Sequence, residues 1–527
     1  MSALTPRKRP TRSRAPLRFW PALALSLGSG LVLALAFQPL DWWPLVFPAV
    51  AAMLWSVRGR SLRGAAVIGA AHSAAFYVPH IWWITVYLGA PPLIGLVMVM
   101  VVWGVLGAML LALAWQWGER FFRTQASRTF ALPALLAGLW TAREAVASTF
   151  PFGGFAWGRV AHSQASSPIG DAISWVGMSG LSFLLVFVSA IFLQLLLIRG
   201  TMARRRFVTA AAVAVALVAI PVFPTQTTGT IRVGAVQGNS QAGLFAEYVP
   251  GQIIAEHADA SQLLAGETMD VLVWPENAGE WMPHERRGST EMIEEIVDQF
   301  DVPLVLGAIT AENIGEEDEQ VFNSLQLWEP GAPATETYHK RHPVPFAEYL
   351  PARDFFYPLA PDLFDLIPRD YSVDPSSANA FRIDDFVAGL AICFDIVDDA
   401  LTREMILDHG AEILFAPTNN ADFGEGSAEN VQQLAIAQLR AMETGRALVN
   451  ISTVGTSAMV LPDGTMVERL TQYEAGVMLA DLPLSSTVTP AVAFGAWIEL
   501  VLCLGAILLL GALGIRSFML QRRTTRG

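Results

Sequence analysis

The stretch Val387-Ala388-Gly389-Leu390-Ala391-Ile392-Cys393-Phe394-Asp395 decides how the chain is read. No polar side chain interrupts it before the thiol, as in a strand buried on both faces. Cys393 is one of two cysteines, and the other, Cys503, lies in an apolar segment of membrane-span character. Two cysteines so differently placed give neither a disulfide framework nor zinc-ligand spacing. By itself a thiol at a strand end reads first as a small buried hydrophobe. It reads as a nucleophile when a base and a cation stand near it.

Of 527 residues, 53% are hydrophobic and 15% charged, a composition that points to a membrane protein. The formal net charge of −13 conceals a division: residues 225–485 carry 12 Lys/Arg and 42 Asp/Glu, the remainder 22 and 5. An acidic block is set in a basic, apolar frame, and a block this acidic argues against nucleic acid as a partner. Apolar runs near 20–37, 43–57, 65–88, 93–117, 130–149, 175–198, 208–223 and 491–513 read as eight spans. The second and seventh are short for a hydrocarbon core of about 30 Å. The basic start (Arg7, Lys8, Arg9, Arg12, Arg14, Arg18) is read as a cytoplasmic end and not as a cleaved signal, because further apolar runs follow at once.

Arginines cluster after every second span: Arg58, Arg60 and Arg63; Arg120, Arg123 and Arg128; Arg199, Arg204, Arg205 and Arg206; Arg516, Arg522, Arg523 and Arg526. The alternate loops are poor in basic residues. Positive-inside therefore puts these clusters in the cytoplasm and the acidic block outside. The expected organisation is a membrane domain over 1–224 with about seven helices, a catalytic block over 225–485, and a last span with a basic cytoplasmic tail over 486–527. Within the frame, Arg143, Glu144 and Glu499 read either as functional charges or, first, as residues that pair or snorkel near the outer surface, and His72 and His80 as packing or interface residues. The aromatic, glycine-rich segment 150–157 reads either as a re-entrant or lipid-contacting segment or as an interfacial turn.

In the acidic block, strands are expected near 231–236, 271–274, 303–309, 324–327, 386–392, 413–416, 447–451 and 457–461. Helices are expected over 290–299, capped by Ser289 or Thr290, and over 401–408 and 428–443. Mixed strand and helix over some 260 residues make one α/β domain with buried sheets. Three stretches place reactive groups at strand ends or in rigid loops. Glu276 follows Val271-Leu272-Val273-Trp274-Pro275, and a carboxylate held there and partly desolvated has a raised pKa suited to a base. Lys340, the only lysine of the block, sits in Tyr338-His339-Lys340-Arg341-His342-Pro343-Val344-Pro345-Phe346-Ala347-Glu348, where prolines stiffen the chain. A thiol beside that ammonium is expected to be more acidic than usual. Taken singly, Glu276 also reads as a turn residue and the Lys340 stretch as a basic surface loop.

In this order, Glu276, Lys340 and Cys393 resemble the Glu-Lys-Cys triad of the nitrilase (carbon-nitrogen hydrolase) superfamily, over residues 231–482. Val233-Gly234-Ala235-Val236-Gln237-Gly238-Asn239, Phe415-Ala416-Pro417-Thr418-Asn419-Asn420-Ala421-Asp422-Phe423-Gly424 and Gln438-Leu439-Arg440-Ala441-Met442-Glu443-Thr444-Gly445-Arg446 carry the resemblance further. With spans before and after that domain, the whole chain resembles the apolipoprotein N-acyltransferase family of bacterial membranes. Three departures stand out. Asp395 replaces a common Glu two residues after the nucleophile, Asp422 replaces a common aromatic, and Ala347 replaces Gly before Glu348.

The resemblance implies an extracytoplasmic nitrilase-like α-β-β-α sandwich joined to a multi-pass helical domain in the bacterial plasma membrane. It implies a fatty acyl chain moved from a phospholipid to the amino group of an S-diacylglyceryl-cysteine lipoprotein, through a thioester on Cys393. Glu276 is then the base. Lys340 and the Phe394 backbone N–H hold the oxyanion, and Glu348 supports Lys340. No cofactor or metal is implied. Two other readings use the same residues differently: a membrane-tethered amidase with water as acceptor, and a non-enzymatic scaffold or transporter with a degenerate domain.

Overall fold

The computed structural model describes residues 15–197, 203–240, 242–243, 249–367 and 369–524. The basic residues Arg7, Lys8, Arg9, Arg12, Arg14, Arg199 and Arg526 lie outside them.

Two six-stranded sheets form the heart of the acidic block. The first has the order β12-β1-β2-β3-β4-β5 and the second β11-β10-β9-β8-β7-β6. The first comprises β1 (Thr227–Gln237), β2 (Val271–Val273), β3 (Leu304–Glu312), β4 (Gln320–Glu329), β5 (Ala332–His339) and β12 (Gly476–Ser485). The second comprises β6 (Ala380–Ile383), β7 (Phe386–Leu390), β8 (Ile413–Thr418), β9 (Ala447–Ser452), β10 (Ala458–Val460) and β11 (Met466–Arg469). At the centre of each, β1-β2-β3 and β7-β8-β9 pair in parallel. Where they pair in parallel these strands are mostly apolar, because both their faces are covered there.

Val233, Val273 and Leu325 of the first sheet pack on Leu390, Phe415 and Val449 of the second, forming a dry inter-sheet core. Outside the first sheet, the helices Gln252–Ser261 and Arg287–Phe300 bury Ile254, Ile293 and Val297 on Leu272 and Leu304. Outside the second, Asp399–Leu407 and Ala428–Thr444 bury Met405, Leu439 and Met442. The layers are therefore helix–sheet–sheet–helix.

Beyond this outer helix layer the apolar core continues without a break into the helical remainder of the chain. The helix Ala428–Thr444 packs against Ile173–Leu197. Helices stand at each of the eight expected positions: Phe19–Ala34, Val46–Val57, Leu62–His80, Ala90–Phe121, Leu132–Ala147, Ile173–Leu197, Ala203–Val218 and Pro490–Thr524. Among the described residues, three stretches are long and apolar enough to cross a membrane: Ala90–Phe121, Gly170–Leu197 and Pro490–Arg523. The first and last carry exposed rows of large apolar side chains, such as Met98, Val102, Leu106, Trp497, Val501 and Leu508.

Several expectations are corrected. The third run is not one helix to residue 88. It stops at His80, and the chain turns through Trp82 and Trp83 into the short helix Ile84–Leu88, with the Trp83 indole donating to Gln432 at 3.1 Å. The helix expected over 290–299 starts at Arg287. Arg286 is its N-cap, with no side-chain cap, and Thr290 Oγ1 instead donates back to Pro283 O at 2.7 Å. Strands β5, β6, β11 and β12 were not expected. β5, β6 and β11 are half exposed or broken by polar residues, so no apolar run betrays them; β12 does carry one, Val477-Met478-Leu479-Ala480.

Among the polar residues of the frame, Glu144 and Glu499 find hydrogen-bond partners and His72 and His80 pack among neighbours. Glu144 is buried and accepts from Trp140 Nε1 at 2.7 Å and from Arg143 at 3.3 Å, while Glu499 accepts from Ser179 Oγ at 2.5 Å. His72 meets Ser29 Oγ at 3.0 Å, and His80 meets Trp157 O at 3.2 Å.

Candidate active site

Every residue singled out for chemistry comes to one place. Glu276, Lys340, Glu348, Cys393 and Phe394 line a single cavity of about 1300 Å3. The first sheet supplies Glu276 after β2, Lys340 after β5 and Glu348 from the following loop. The second supplies Cys393 two residues beyond β7's bonded neighbour Ala391. The site thus sits where the ends of the two central parallel sets meet.

Glu276 is brought into place by a glycine. Gly307 on β3 donates to Pro275 O at 3.1 Å, and a Cβ at Gly307 would lie 2.5 Å from Glu276 Cα. Only a residue without a side chain allows that approach. Lys340 is pinned through its own backbone, its N–H donating to Asn323 O at 2.8 Å. Its Nζ reaches Glu276 Oε1 at 3.2 Å and Glu348 Oε2 at 2.9 Å. Asn323 joins the same two carboxylates from the other side, its Nδ2 donating to Glu276 at 2.6 Å and to Glu348 at 2.9 Å. Val344 N–H adds a 2.7 Å bond to Glu348 Oε2. One ammonium therefore serves two carboxylates in a buried pocket.

The thiol lies on an elbow. Cys393 has φ +49°, in the left-handed region, and opens the short helix Cys393–Val397. A non-glycine residue held there is strained, and such strain clusters at functional sites. Asp395 N–H closes the turn on Ile392 O at 3.0 Å. That leaves the Phe394 N–H among the amides the turn cannot pair internally. Trp157 stacks nearly parallel on the Phe394 ring at 6.3 Å. The segment 150–157 is thus part of the cavity wall.

Asp395 ties the elbow to the lysine loop. Its carboxylate, fully buried, accepts from Tyr338 OH at 2.9 Å, His342 N at 2.8 Å and Ile392 N at 3.2 Å. Tyr338 and His342 flank Lys340, so this departure from the family pattern occupies the joint between cation and nucleophile. Asp422 lines the cavity, and its neighbour Phe423 packs edge-on against Trp83 at 5.2 Å.

Electrostatics sharpen the roles. Burial pushes the Glu276 carboxyl above the usual carboxylate range; Lys340 opposes this and Glu348 adds to it. Burial works against the Lys340 ammonium, yet Glu276 and then Glu348 hold it well above the ordinary lysine value. The thiol departs from expectation. Burial, and then Glu276, push Cys393 up, and Lys340 only partly offsets them. An ammonium already shared by two carboxylates cannot acidify a buried thiol by itself, so the resting sulfur is protonated and a base must remove its proton.

Asn323, Gln433 and Glu429 were not singled out from the sequence. Gln433 Nε2 lies 3.5 Å from Cys393 Sγ, and Glu429, also on the cavity wall, accepts from Asn420 at 2.9 Å. Asn323 is a buried amide inside β4, one residue before the start of the expected strand, and nothing local in the sequence marks it as buried.

A family model described as the apolipoprotein N-acyltransferase N-terminal domain matches residues 29–191, and one described as carbon-nitrogen hydrolase matches 232–489. The chain is similar along nearly its whole length to relatives named apolipoprotein N-acyltransferase. The relative from Pseudomonas syringae is 27% identical, covering 92% of this chain and 95% of the relative. That from Pseudomonas aeruginosa is 27% identical, covering 96% and 98%. That from Mycolicibacterium smegmatis is 29% identical, covering 95% and 87%. With both family models in order along one chain and relatives matched almost end to end, the chain belongs to the apolipoprotein N-acyltransferase family.

Proposed function

We propose that the protein transfers a fatty acyl chain from a phospholipid to the amino group of an N-terminal S-diacylglyceryl-cysteine, through a thioester on Cys393. One observation carries this reading. The Glu276–Lys340–Cys393 cluster opens into a cavity walled both by catalytic loops and by apolar residues of the helix Ala90–Phe121, among them Met98, Val99 and Val102. At about 1300 Å3 it exceeds the roughly 300–1,000 Å3 of ordinary small-molecule sites. A small amide needs no such wall, whereas an acyl chain does.

In the first half-reaction Glu276 takes the thiol proton and Sγ bonds to the ester carbonyl carbon. Lys340 Nζ and the Phe394 N–H hold the oxyanion, a contact worth about 2.7–4 kcal/mol per donor. The ester C–O bond breaks, and Glu276 returns the proton to the departing lysophospholipid oxygen. In the second, the neutral amine attacks the thioester carbonyl and Glu276 takes a proton from nitrogen. The C–S bond breaks and the proton returns to sulfur. This is ping-pong covalent catalysis with no metal or cofactor. Glu348 keeps Lys340 charged and aimed.

The same reading places 1–224 and 486–527 in the plasma membrane, multi-pass, with 225–485 outside. The alternating arginine clusters and the outward apolar faces of Ala90–Phe121 and Pro490–Thr524 support it. The test is incubation with labelled phospholipid and a diacylglyceryl-cysteinyl peptide. The expected product is peptide heavier by one acyl chain. Release of free fatty acid alone, or hydrolysis of small amides without acyl transfer, contradicts it.

A further inference from the structure

The mechanism above leaves two polar neighbours of the sulfur, Thr418 and Gln433, without a role. Gln433, on the helix Ala428–Thr444, is buried and lines the cavity, with Nε2 3.5 Å from Cys393 Sγ. Its neighbours fix which end of the amide faces the thiol. Gln433 Oε1 accepts from Thr418 Oγ1 at 3.0 Å and from Asn420 Nδ2 at 3.0 Å. Asn420 is fixed in turn, because its Oδ1 accepts from Ser452 Oγ at 2.7 Å and its Nδ2 also donates to Glu429 Oε2 at 2.9 Å. Ser452 Oγ accepts from Gly455 N at 2.9 Å, which completes the assignment. Gly455 itself must lack a side chain, since a Cβ there would lie 2.2 Å from Asn420 Oδ1. Flipping Gln433 would set its NH2 group against the NH2 of Asn420 and its carbonyl oxygen against the sulfur.

The charge developing on sulfur needs such a donor. Of the three Lys340 ammonium hydrogens, two go to Glu276 and Glu348 and the third is assigned to the oxyanion. The Phe394 N–H is assigned to the carbonyl oxyanion, and the one hydroxyl hydrogen of Thr418, which also reaches the sulfur, is shared with Gln433 Oε1. We propose that Gln433 is a catalytic hydrogen-bond donor to Cys393 Sγ, stabilising the thiolate as it forms in acylation and again as it leaves the thioester. A bond from an amide to a neutral thiol at 3.5 Å is weak. The same donor facing a thiolate makes a charge-assisted bond, shorter and roughly twice as strong. The interaction therefore strengthens on the way to the transition state, which is the condition for accelerating a step. Glu429, beyond Asn420, stands at the far end of the relay. Burial pushes its carboxyl up to about 8.

This inference rests on Cys393 being the nucleophile, and its test works without lipid. The full-length protein is alkylated with iodoacetamide across the neutral to alkaline range, and the Cys393 peptide is read by mass spectrometry, which separates it from Cys503. Gln433→Glu keeps an acceptor for Thr418 and Asn420 but puts oxygen in place of the donor; Gln433→Met removes both. The expected result is alkylation slowed about tenfold or more in Gln433→Met. In Gln433→Glu it is slowed further and shifted to higher pH, with the melting temperature near that of the parent. Parent rates and an unshifted pH profile in both variants overturn the proposal. If the parent takes no acyl group from phospholipid while both variants alkylate slowly, the transferase reading falls and the Gln433 donor stands. If the parent is acylated and the variants alkylate normally, only the Gln433 donor falls.

Discussion

Among the described residues, two ionic clusters around the active site differ in character. In the cavity, one ammonium, Lys340, faces two carboxylates, Glu276 and Glu348. At the junction with the helical part, two guanidiniums face Asp399: Arg159 at 2.7 Å and Arg440 at 2.7 Å, and Arg440 also pairs with Glu443. Arg159 further donates to Ser179 on the helix Ile173–Leu197, and Arg440 holds the carbonyls of Ile396 and Val397 just beyond the nucleophile elbow. Desolvation pushes both carboxylates up, although the Asp399 side chain is 21% exposed and that of Glu276 5%. With a single shared cation, Glu276 ends above the usual carboxylate range. With two arginines, Asp399 is held well below it. The number of cations at hand, together with burial, separates a carboxylate that can accept a proton from one that serves as a rivet.

The predictions press on that contrast. Cys393→Ala should abolish acyl transfer while the protein still folds, measured as transfer against a thermal melt. Glu276→Gln removes the proton acceptor and should slow turnover about 10²–10⁴-fold, with little loss of lipid binding. Gly307→Ala puts a methyl group against Glu276 Cα. A displacement of about 1 Å at a catalytic group costs on the order of 10²-fold in rate. Asp399→Asn should leave activity per folded molecule nearly unchanged but destabilise by about 3–5 kcal/mol, because two buried arginines lose their shared partner. A denaturant melt paired with an activity titration separates these outcomes.

The same contrast sets a pH order. The base must be unprotonated, so activity falls as pH drops through the raised value of Glu276. Asp399 has a depressed folded value, so its contribution to stability is present above the ordinary carboxylate value and is lost only as pH falls through the lower folded one. On acidification, inactivation should therefore precede unfolding. Parallel pH titrations of turnover and of tryptophan fluorescence measure the separation, and coincident curves would break the distinction between the clusters.

Much of this was legible in the sequence, and the residues show why the rest was not. Glu276, Lys340 and Cys393 each follow an apolar run or sit among prolines, so local pattern exposes them. The acidity of the thiol was misread. Its neighbour Lys340 is claimed by Glu276 across 64 positions, a tertiary fact that spacing does not carry. Gln433 and Asn323 lie within a helix and a strand, where a polar residue looks like any solvated position until the opposing sheet is known. The eight apolar helices were legible from run length. The turn at Trp82–Trp83 was not, because the contact of Trp83 with Gln432 that accompanies it joins parts of the chain 349 residues apart.

The central claim is that Cys393 carries the acyl group. Incubating the intact protein with one defined phospholipid, quenching in acid and weighing the Cys393 peptide tests it directly. The account predicts a mass increase of one acyl chain that hydroxylamine removes, absent in Cys393→Ala and strongly reduced in Glu276→Gln. An unmodified Cys393 peptide from protein that nonetheless acylates a lipopeptide would contradict it.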